Sequence, residues 1–285
     1  MTQSISQSVF DPETTAYARA AAEFAIEKGS LAVRLARNWD EIDAALSLRY
    51  RIFYEEMEAQ ATAEMALRKR DFDQYDEFAD HLLVLDKELG DGPESVVGTY
   101  RLIRRDAAQA CGTFYSSDEY DIDVLTALPD EILELGRSCV DAAYRDRRVI
   151  NLLWDGIAAY CVAHDIRIMF GCASLPGCDP DALKLPLSYL YHHHLAPAEI
   201  RPRAVPARFV DMNRISVNEI DRKAGLKSVP PLIKGYLRIG GFVGDGAVID
   251  EQFNTTDVCI VVQTKLITDK YARHFERDGS DLHSI

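Results

Sequence analysis

A glutamate, a glycine and an arginine stand close together in the stretch 131–140, and this combination could handle a proton. The apolar residues around them predict a buried strand. Glu134 would then lie inside the protein, where a carboxylate is costly unless it is paired or used. Positions 134 and 137 of a regular strand face opposite sides. We expect a bulge at Gly136 to bring Arg137 beside Glu134, which then either forms an ion pair or accepts a substrate proton.

The surrounding segments predict that this strand lies within a sheet that is flanked by helices. The amphipathic segment 149–164 follows as a helix and 167–173 as a buried strand, which gives a β-α-β unit with a parallel pair. Asn38 is expected to cap a helix that runs from Trp39 to about Met57. Further predicted elements are a helix from Asp11 to Gly29, a strand at 31–37, a polar helix to Arg70, a hairpin of 81–89 with 95–105, and a strand at 257–264.

Composition and charge restrict the possible partners. The 285 residues carry a net charge of −14, with a pI near 4.9. That acidity argues against nucleic acid as a partner, since phosphate contacts need clustered cations. Six cysteines occur without C-x-x-C pairs, which indicates reduced thiols in a cytoplasmic protein. The sequence shows no signal peptide and no apolar run of membrane-spanning length, and peripheral contact with the inner face of the membrane through the N-terminal helix stays open.

A series of motifs in a particular order resembles one known family. The order of elements is similar to the GNAT (Gcn5-related N-acyltransferase) fold. The motifs resemble those of the acyl-homoserine-lactone synthases and, more closely, of their relatives the ornithine–acyl-ACP N-acyltransferases. The segments that carry this resemblance, which covers about residues 31–265, are Leu48-Arg49-Tyr50-Arg51-Ile52-Phe53, Asp73-x-x-Asp76, His81-Leu-Leu-Val, Gly98-Thr-Tyr-Arg101-Leu, Glu134-Leu-Gly-Arg137-Ser-Cys139-Val140, Tyr144-Arg145, Leu153-Trp154-x-Gly156, Pro230-Pro231-Leu-x-Lys-Gly235-Tyr236-Leu-Arg238-x-Gly240 and Asp250-x-x-Phe253-x-x-x-Asp257.

The resemblance implies an α/β (α+β) architecture, the GNAT acyltransferase fold, in which helices flank a central, mixed and mostly antiparallel twisted sheet. It divides the chain into an N-terminal helical extension (1–30), a GNAT-like domain (31–270) and a C-terminal tail (271–285). The activity it implies is transfer of a 3-hydroxyacyl chain from acyl carrier protein to the α-amine of L-ornithine. The product would be lyso-ornithine lipid, the first intermediate of ornithine lipid synthesis.

One departure from ordinary GNAT enzymes bears on the acyl donor. The glycine-rich pyrophosphate loop that usually follows the active strand is absent, since residues 142–148 contain no glycine. Glycines let backbone amides close around a pyrophosphate, so the sequence favours an acyl carrier protein over coenzyme A. No cofactor is expected beyond the carrier's phosphopantetheine thioester. Carrier proteins are acidic, and the predicted docking residues are Tyr144, Arg145, Arg147 and Arg148; the alternative is an ordinary solvated helix start.

Within that activity, the strand at 131–140 would supply the catalytic groups. A neutral amine must attack the thioester, and Glu134 is the predicted base because burial would raise its pKa toward neutrality. Backbone N–H groups freed by the bulge between Arg137 and Cys139 would stabilise the oxyanion. A structural ion pair of Glu134 with Arg137 is the alternative.

Substrate contacts are predicted on two earlier segments. Asp73 and Asp76 would receive the two amino groups of ornithine, and Arg49 or Arg101 would receive its carboxylate. Phe53 would shape the pocket, although an aromatic residue at helical spacing also suits a core. The alternative for the two aspartates is a solvated acidic loop.

Three rival functions stay open from the residues alone. They are a lactone synthase that uses S-adenosylmethionine, a non-catalytic binding module, and acylation of another amino acid such as glutamine or lysine. No metal site is expected, because the adjacent side chains of His192–His194 on a helix fan outward by about 100° each.

Overall fold

A ten-stranded sheet runs through the part of the chain that the computed structural model describes, residues 25–265. Its strands are β1 (Ile26–Lys28), β2 (Leu31–Leu35), β3 (Asp80–Asp86), β4 (Val96–Arg104), β5 (Tyr120–Asp121), β6 (Glu131–Val140), β7 (Ile166–Pro176), β8 (Arg203–Ala204), β9 (Phe242–Asp250) and β10 (Thr255–Gln263). Their spatial order is β1-β2-β3-β4-β6-β7-β10-β9-β8-β5. Only the pairs β6–β7 and β8–β9 are parallel within this sheet. The mixed, mostly antiparallel sheet confirms the predicted fold class.

Helices flank the sheet, and one of them differs from its prediction. They are α1 (Trp39–Tyr50), α2 (Ala63–Arg68), α3 (Arg105–Cys111), α4 (Asp123–Thr126), α5 (Arg147–Ala163), α6 (Lys184–His194), α7 (Arg222–Ser228) and α8 (Pro231–Arg238). Asn38 caps α1 as expected, because its side chain accepts a hydrogen bond from the Glu41 amide. Instead of continuing as an α-helix to about Met57, the chain widens into π-helical turns at Arg51–Glu56. Such turns are frequent at functional sites.

The N-terminal helix is corrected where the structure describes it. The predicted helix ran from Asp11 to Gly29; residues 11–24 lie outside the described part, as does the predicted tail 271–285. Ile26–Lys28 forms an edge strand instead, which pairs antiparallel with β2. Gly29, at φ +64°, turns the chain back. Strand pairing satisfies backbone groups that a helix ending here would have left to solvent.

Two apolar cores lie on opposite faces of the sheet. On one face, α5 packs its buried stripe of Leu152, Leu153 and Ile157 against the strands. The excursion between β4 and β6 covers the other face with a second core that includes Phe114 and Leu125. Within residues 25–265, no helix is long and apolar enough to cross a membrane.

The β6–β7 pair opens partway along its length. The two strands pair in parallel from Glu131↔Ile166 to Glu134↔Phe170 and no further. Beyond that point β6 stays paired with β4 as far as Val140, and β7 stays paired with β10 as far as Pro176. Because each strand follows its outer neighbour, a cleft opens between them.

Gly171 lies where the two strands separate. Its φ is +155°, and a Cβ atom built there would lie 2.2 Å from the carbonyl oxygen of Leu135. Real Cβ atoms do not approach a backbone oxygen so closely, so β7 can pass the end of the paired region only with a glycine at this position.

We expect Gly171→Ala to lower the free energy of unfolding by about 3 kcal/mol or more, because the clash is with backbone that cannot move aside. Gly112→Ala is the matched control: its φ is also positive, at +107°, but a Cβ there meets nothing within 4 Å. The control should cost only about 1–2 kcal/mol. Urea unfolding of both variants makes the comparison, and equal losses would contradict a steric cause.

Candidate functional site

A cavity of about 550 Å³ occupies the cleft between β6 and β7. Its walls include residues 134–140 of β6 and 169–174 of β7, together with Ile52, Phe53, Glu56 and Met57 from the π-helical turns and the residue after them. The π-helical segment thus helps to close the opening of the split sheet.

The cavity reaches both faces of the sheet, and its two arms differ in chemistry. An apolar arm lies on the α5 face, lined by Leu135, Met169, Ala173, Leu232, Tyr236 and Ile260. A charged arm lies on the other face, lined by Arg101, Tyr115, Glu134, Arg137, Asp250 and Asp257. The two arms meet where β6 and β7 separate. Two ligands could therefore occupy one arm each, with their reacting atoms close together at the junction.

Glu134 is buried at the junction of the arms, and backbone donors hold its carboxylate. The amide of Tyr115 donates to Oε2 at 2.8 Å and the amide of Ser116 to Oε1 at 2.6 Å. The Ser116 hydroxyl also donates to Oε1, at 2.5 Å. Burial raises the pKa of Glu134, although the bonds from Ser116 and Tyr115 oppose that rise. The raised pKa agrees with the prediction from the sequence.

The predicted contact between Glu134 and Arg137 is wrong. Arg137 adopts a left-handed backbone conformation, with φ +52°. Its Nε and Nη2 atoms lie 3.2 Å from carboxylate oxygens of Asp71 and Asp73, respectively. The guanidinium carbon lies 4.8 Å from the ring centre of Tyr115. Partners from another segment of the chain therefore neutralise Arg137.

A bulge does occur where the sequence predicted one. Thr99 pairs with Cys139 and Arg101 with Gly136, so β6 has one more residue than β4 between these pairs. A bulge takes backbone groups out of the ladder, and here it includes Arg137, on the cavity wall. The Cys139 thiol is buried, and burial raises its pKa to about 12. The thiol is therefore no nucleophile at neutral pH, and an oxyanion role of the backbone between Arg137 and Cys139 stays a prediction.

Six side chains form a closed ring of ion pairs beside the cavity. In order around the ring they are Arg49, Asp71, Arg137, Asp73, Arg101 and Asp76. Contacts between nitrogen and oxygen atoms range from 2.5 Å, between Arg49 and Asp71, to 3.2 Å. Burial alone would raise the pKa of Asp76, but Arg49 and Arg101 outweigh it and hold that pKa far below its usual range.

The ring changes the expectations for the substrate-binding residues. Arg49, Asp73 and Asp76 are each paired with opposite charges of the ring, and none of the three lines the cavity. Their predicted contacts with substrate stay predictions. Phe53 does lie on the cavity wall, with its ring centre 5.8 Å from that of Phe253.

Arg101 belongs both to the ring and to the wall of the cavity. Its Nη1 atom lies 2.6 Å from Asp73 and 3.2 Å from Asp76. Its Nε and Nη2 atoms are buried and have no hydrogen-bond partner within residues 25–265. These two atoms face Gly136, where a Cβ would lie 3.8 and 4.0 Å from them. Nε and one Nη form the planar edge that binds a carboxylate through two parallel hydrogen bonds.

A cluster of three carboxylates, Glu119, Asp250 and Asp257, lies between the charged arm, which Asp250 and Asp257 line, and a second pocket, which Glu119 and Asp250 line. An oxygen from each lies within 4.8 Å of the others, so the group could hold a cation. Burial raises the pKa of Glu119 to about 7 and that of Asp257 to about 6. We did not predict this acidic cluster from the sequence. The motif containing Asp250 and Asp257 was a signal for two members, whereas nothing local marked Glu119.

The predicted carrier-docking residues lie at and near the cavity mouth. Arg145 lines the cavity and forms two hydrogen bonds with Glu56. Arg148 pairs with Asp146. Arg147 is exposed, and no ion partner is recorded for it among the described residues. The Tyr144 hydroxyl donates to Asp86 at 2.8 Å. Three arginines thus stand at one surface, and their docking role stays a prediction.

The chain is similar to several known proteins. An acetyltransferase (GNAT) domain model matches residues 48–155. The crystal structure of the AHL synthase LasI aligns with 83% of this chain and 92% of its own at 12% identity, with a TM-score of 0.46. The L-ornithine N(alpha)-acyltransferase of Agrobacterium fabrum is 48% identical over 258 residues, 90% of this chain and 88% of that protein. The protein of the same name from Rhizobium meliloti is 46% identical over 258 residues, covering 90% and 87%. The chain is therefore an acyltransferase, and it belongs to the family of the L-ornithine N(alpha)-acyltransferases.

Proposed function

We propose that this protein transfers a 3-hydroxyacyl chain from acyl carrier protein to the α-amine of L-ornithine. The observation that carries the proposal is the cavity through the split sheet, with an apolar arm on one face, a charged arm on the other and Glu134 at their junction. An acyl chain suits the first arm and a small zwitterion suits the second. The names of the homologues support ornithine as the acceptor.

The acceptor would be oriented by the Nε and Nη2 edge of Arg101, which offers two parallel donors to its α-carboxylate. The α-ammonium then faces the junction, where Glu134 takes one proton, directly or through a water molecule. Each Glu134 oxygen has two lone pairs, and Oε2 is occupied by one donor, the Tyr115 amide. It can therefore accept a further hydrogen bond from the cavity.

The neutral amine attacks the thioester carbonyl, a C–N bond forms, and the carbonyl oxygen takes up negative charge. Backbone N–H groups at the bulge around Arg137 would stabilise that oxyanion. When the intermediate collapses, the C–S bond breaks and the electron pair leaves with sulfur. The second proton of the attacking nitrogen is lost in the same step. One proton protonates the phosphopantetheine thiolate, and the other returns to solvent through Glu134.

The apolar arm contains a polar feature that suits a hydroxylated acyl chain. The hydroxyls of Tyr100 and Tyr236 lie 2.5 Å apart, and both residues are buried on the cavity wall. A buried hydroxyl needs a hydrogen-bond partner. Each tyrosine oxygen retains acceptor capacity, so a hydroxyl on C3 of the acyl chain could bond here without leaving a polar group unsatisfied.

The donor would dock through the arginines at the mouth. The turn at 142–148 has no glycine with which to close around a pyrophosphate. Arg145, Arg147 and Arg148 offer cations to an acidic carrier protein on an otherwise acidic molecule. A cytoplasmic location with peripheral contact at the inner face of the membrane belongs to the same proposal, since the lipid product partitions there.

The function is tested by mass spectrometry of the products formed from 3-hydroxyacyl carrier protein or 3-hydroxyacyl coenzyme A. Each donor is offered with ornithine, lysine, glutamine or S-adenosylmethionine. We expect acyl-ornithine from the carrier-protein donor. Lactone without acyl-ornithine, acylation of a different amino acid, or a preference for the coenzyme A donor would each overturn a named part of the proposal.

We expect Glu134→Gln to lower kcat about 10²- to 10⁴-fold with little change in KM, because it removes the proton acceptor. Glu131→Gln, at the exposed start of the same strand, is the control and should leave both constants unchanged. Wild-type turnover by Glu134→Gln would refute the assignment of Glu134 as base.

Glu134→Gln also alters the three hydrogen bonds that Glu134 accepts from residues 115 and 116. A companion variant therefore separates a catalytic role of Glu134 from a structural role in holding this loop. Ser116→Ala removes one donor that lowers the pKa of Glu134. That pKa should rise, and the acid limb of kcat against pH should move to higher pH, because the base works deprotonated. An unmoved limb would argue that Glu134 is only structural.

We expect Arg101→Lys to raise KM for ornithine about 10- to 100-fold and to leave KM for the acyl donor unchanged. Lysine keeps a positive charge in the ion-pair ring but has no planar edge with two donors. Arg104→Lys, on the same strand but away from the cavity, is the matched control. Steady-state kinetics with each substrate varied in turn gives both constants; an unchanged KM for ornithine would remove Arg101 from the acceptor site.

We expect Arg147→Glu to raise KM for the acyl carrier protein about tenfold, and more at low salt, without changing KM for ornithine. Arg167→Glu reverses a charge at the start of β7, an exposed position away from the cavity mouth, and should change neither constant. Equal effects of Arg147→Glu on both substrates would count against docking.

A further inference from the structure

Asp250 and Asp257 of the acidic cluster line the same cavity as Glu134, whereas Glu119 lines a second pocket that Asp250 also borders. Asp250 and Asp257 form part of the wall of the charged arm. Asp257 pairs across β10 and β7 with Ser174, four residues beyond Phe170, which pairs with Glu134. The cluster therefore lies farther into the cleft than Glu134 and on the same face of the sheet.

Glu119 carries an unsatisfied acceptor within this cluster. The residue is 3% exposed, and its Oε2 atom has no hydrogen-bond partner within residues 25–265. Its Oε1 atom lies 3.5 Å from Arg208, and the other donor beside the carboxylate is the weak one of the Cys172 thiol. A buried carboxylate oxygen without a donor is costly. A ligand that brings a positive charge and several N–H donors would remove that cost.

The three carboxylates also differ from the other acids near the cavity. Asp71, Asp73 and Asp76 are each bound to two arginines of the ion-pair ring. The acidic cluster lies outside the ring, and among the described residues its three carboxylates have one arginine partner, Arg208. Its oxygens, within 4.8 Å of one another, can surround a tetrahedral donor such as a primary ammonium group.

We infer that the acidic cluster binds the distal ammonium group of a diamino acid acceptor, and thereby selects such acceptors over amino acids with uncharged side chains. The inference rests on the proposed function, because it assigns the far end of the same acceptor. Arg101 would hold the α-carboxylate, Glu134 would face the reacting α-amine, and the cluster would hold the terminal amine at the other end of the side chain.

The test compares ornithine with norvaline, which has the same carbon chain without the terminal amine, in an assay of thiol release from acyl carrier protein. The variants are Glu119→Gln and Asp257→Asn, which keep side-chain size. For each we expect kcat/KM for ornithine to fall at least about 30-fold, the loss typical of one partner of a buried charge pair. The value for norvaline should stay within about twofold, so the preference for ornithine collapses. Glu251→Gln removes the same charge from an exposed neighbour outside the cluster and should preserve the preference.

Each other outcome has a fixed meaning. Unchanged ornithine kinetics in both variants, or equal losses for ornithine and norvaline, overturn the inference and leave the proposed function intact. Failure of the wild-type protein to acylate any amino acid overturns the proposed function first. Activity that falls on chelation and returns with added Mg²⁺ or Mn²⁺ assigns the cluster to a divalent cation, which also overturns the inference. Direct binding of ornithine to Asp257→Asn, measured by calorimetry, checks the result without turnover.

Discussion

The site depends on the fact that β6 and β7 cannot stay paired along their whole length. Each strand also has an antiparallel neighbour, and the twist of the sheet carries those neighbours apart. Pairing between β6 and β7 ends at Glu134↔Phe170, while β4 holds one strand and β10 holds the other. Backbone groups along the cleft are then available to a ligand, and a passage through the sheet joins two chemically different faces. A closed sheet with the same residues would keep an acyl chain and an amino acid on separate sides.

The ion-pair ring fixes the charged side of this passage. Three arginines and three aspartates alternate, so each charge has two opposite neighbours and the ring as a whole is neutral. Removing one member would leave a buried charge uncompensated, which typically costs about 3–5 kcal/mol. The ring also fixes the orientation of Arg101. Because Asp73 and Asp76 bind its Nη1 atom, its Nε and Nη2 atoms face Gly136. Arg49, which never reaches the cavity, acts on the site by completing the ring.

Local patterns in the sequence were sufficient to predict most of the sheet and part of the candidate site. Alternation of apolar residues located β2, the predicted hairpin of 81–89 with 95–105 located β3 and β4, and a glycine on a predicted inner strand located the bulge. The prediction of a contact between Glu134 and Arg137 is wrong because two residues that are close in sequence need not contact each other in the fold. The donors to Glu134 come from Tyr115 and Ser116, in an excursion without periodicity. Edge strand β1 was missed because its pairing with β2 is set by a turn at Gly29 and not by propensity.

The acidic cluster shows the limit of such patterns most clearly, and its energetics explain why a structure would keep it. Asp250 and Asp257 lie in one short motif, but Glu119 lies far earlier in the chain, so no short window of sequence contains all three. Folding raises the pKa of Glu119 to about 7 and of Asp257 to about 6, chiefly by burial. The folded state then binds protons more tightly than the unfolded state. The contribution of these two groups to the free energy of unfolding falls as pH rises from about 4 through about 7, and the penalty is complete above that range. At neutral pH the cluster therefore opposes folding, and asparagine or glutamine at the same positions would relieve it. Groups that lower stability in this way are characteristic of binding sites, where the positive charge of a ligand compensates the buried negative charge.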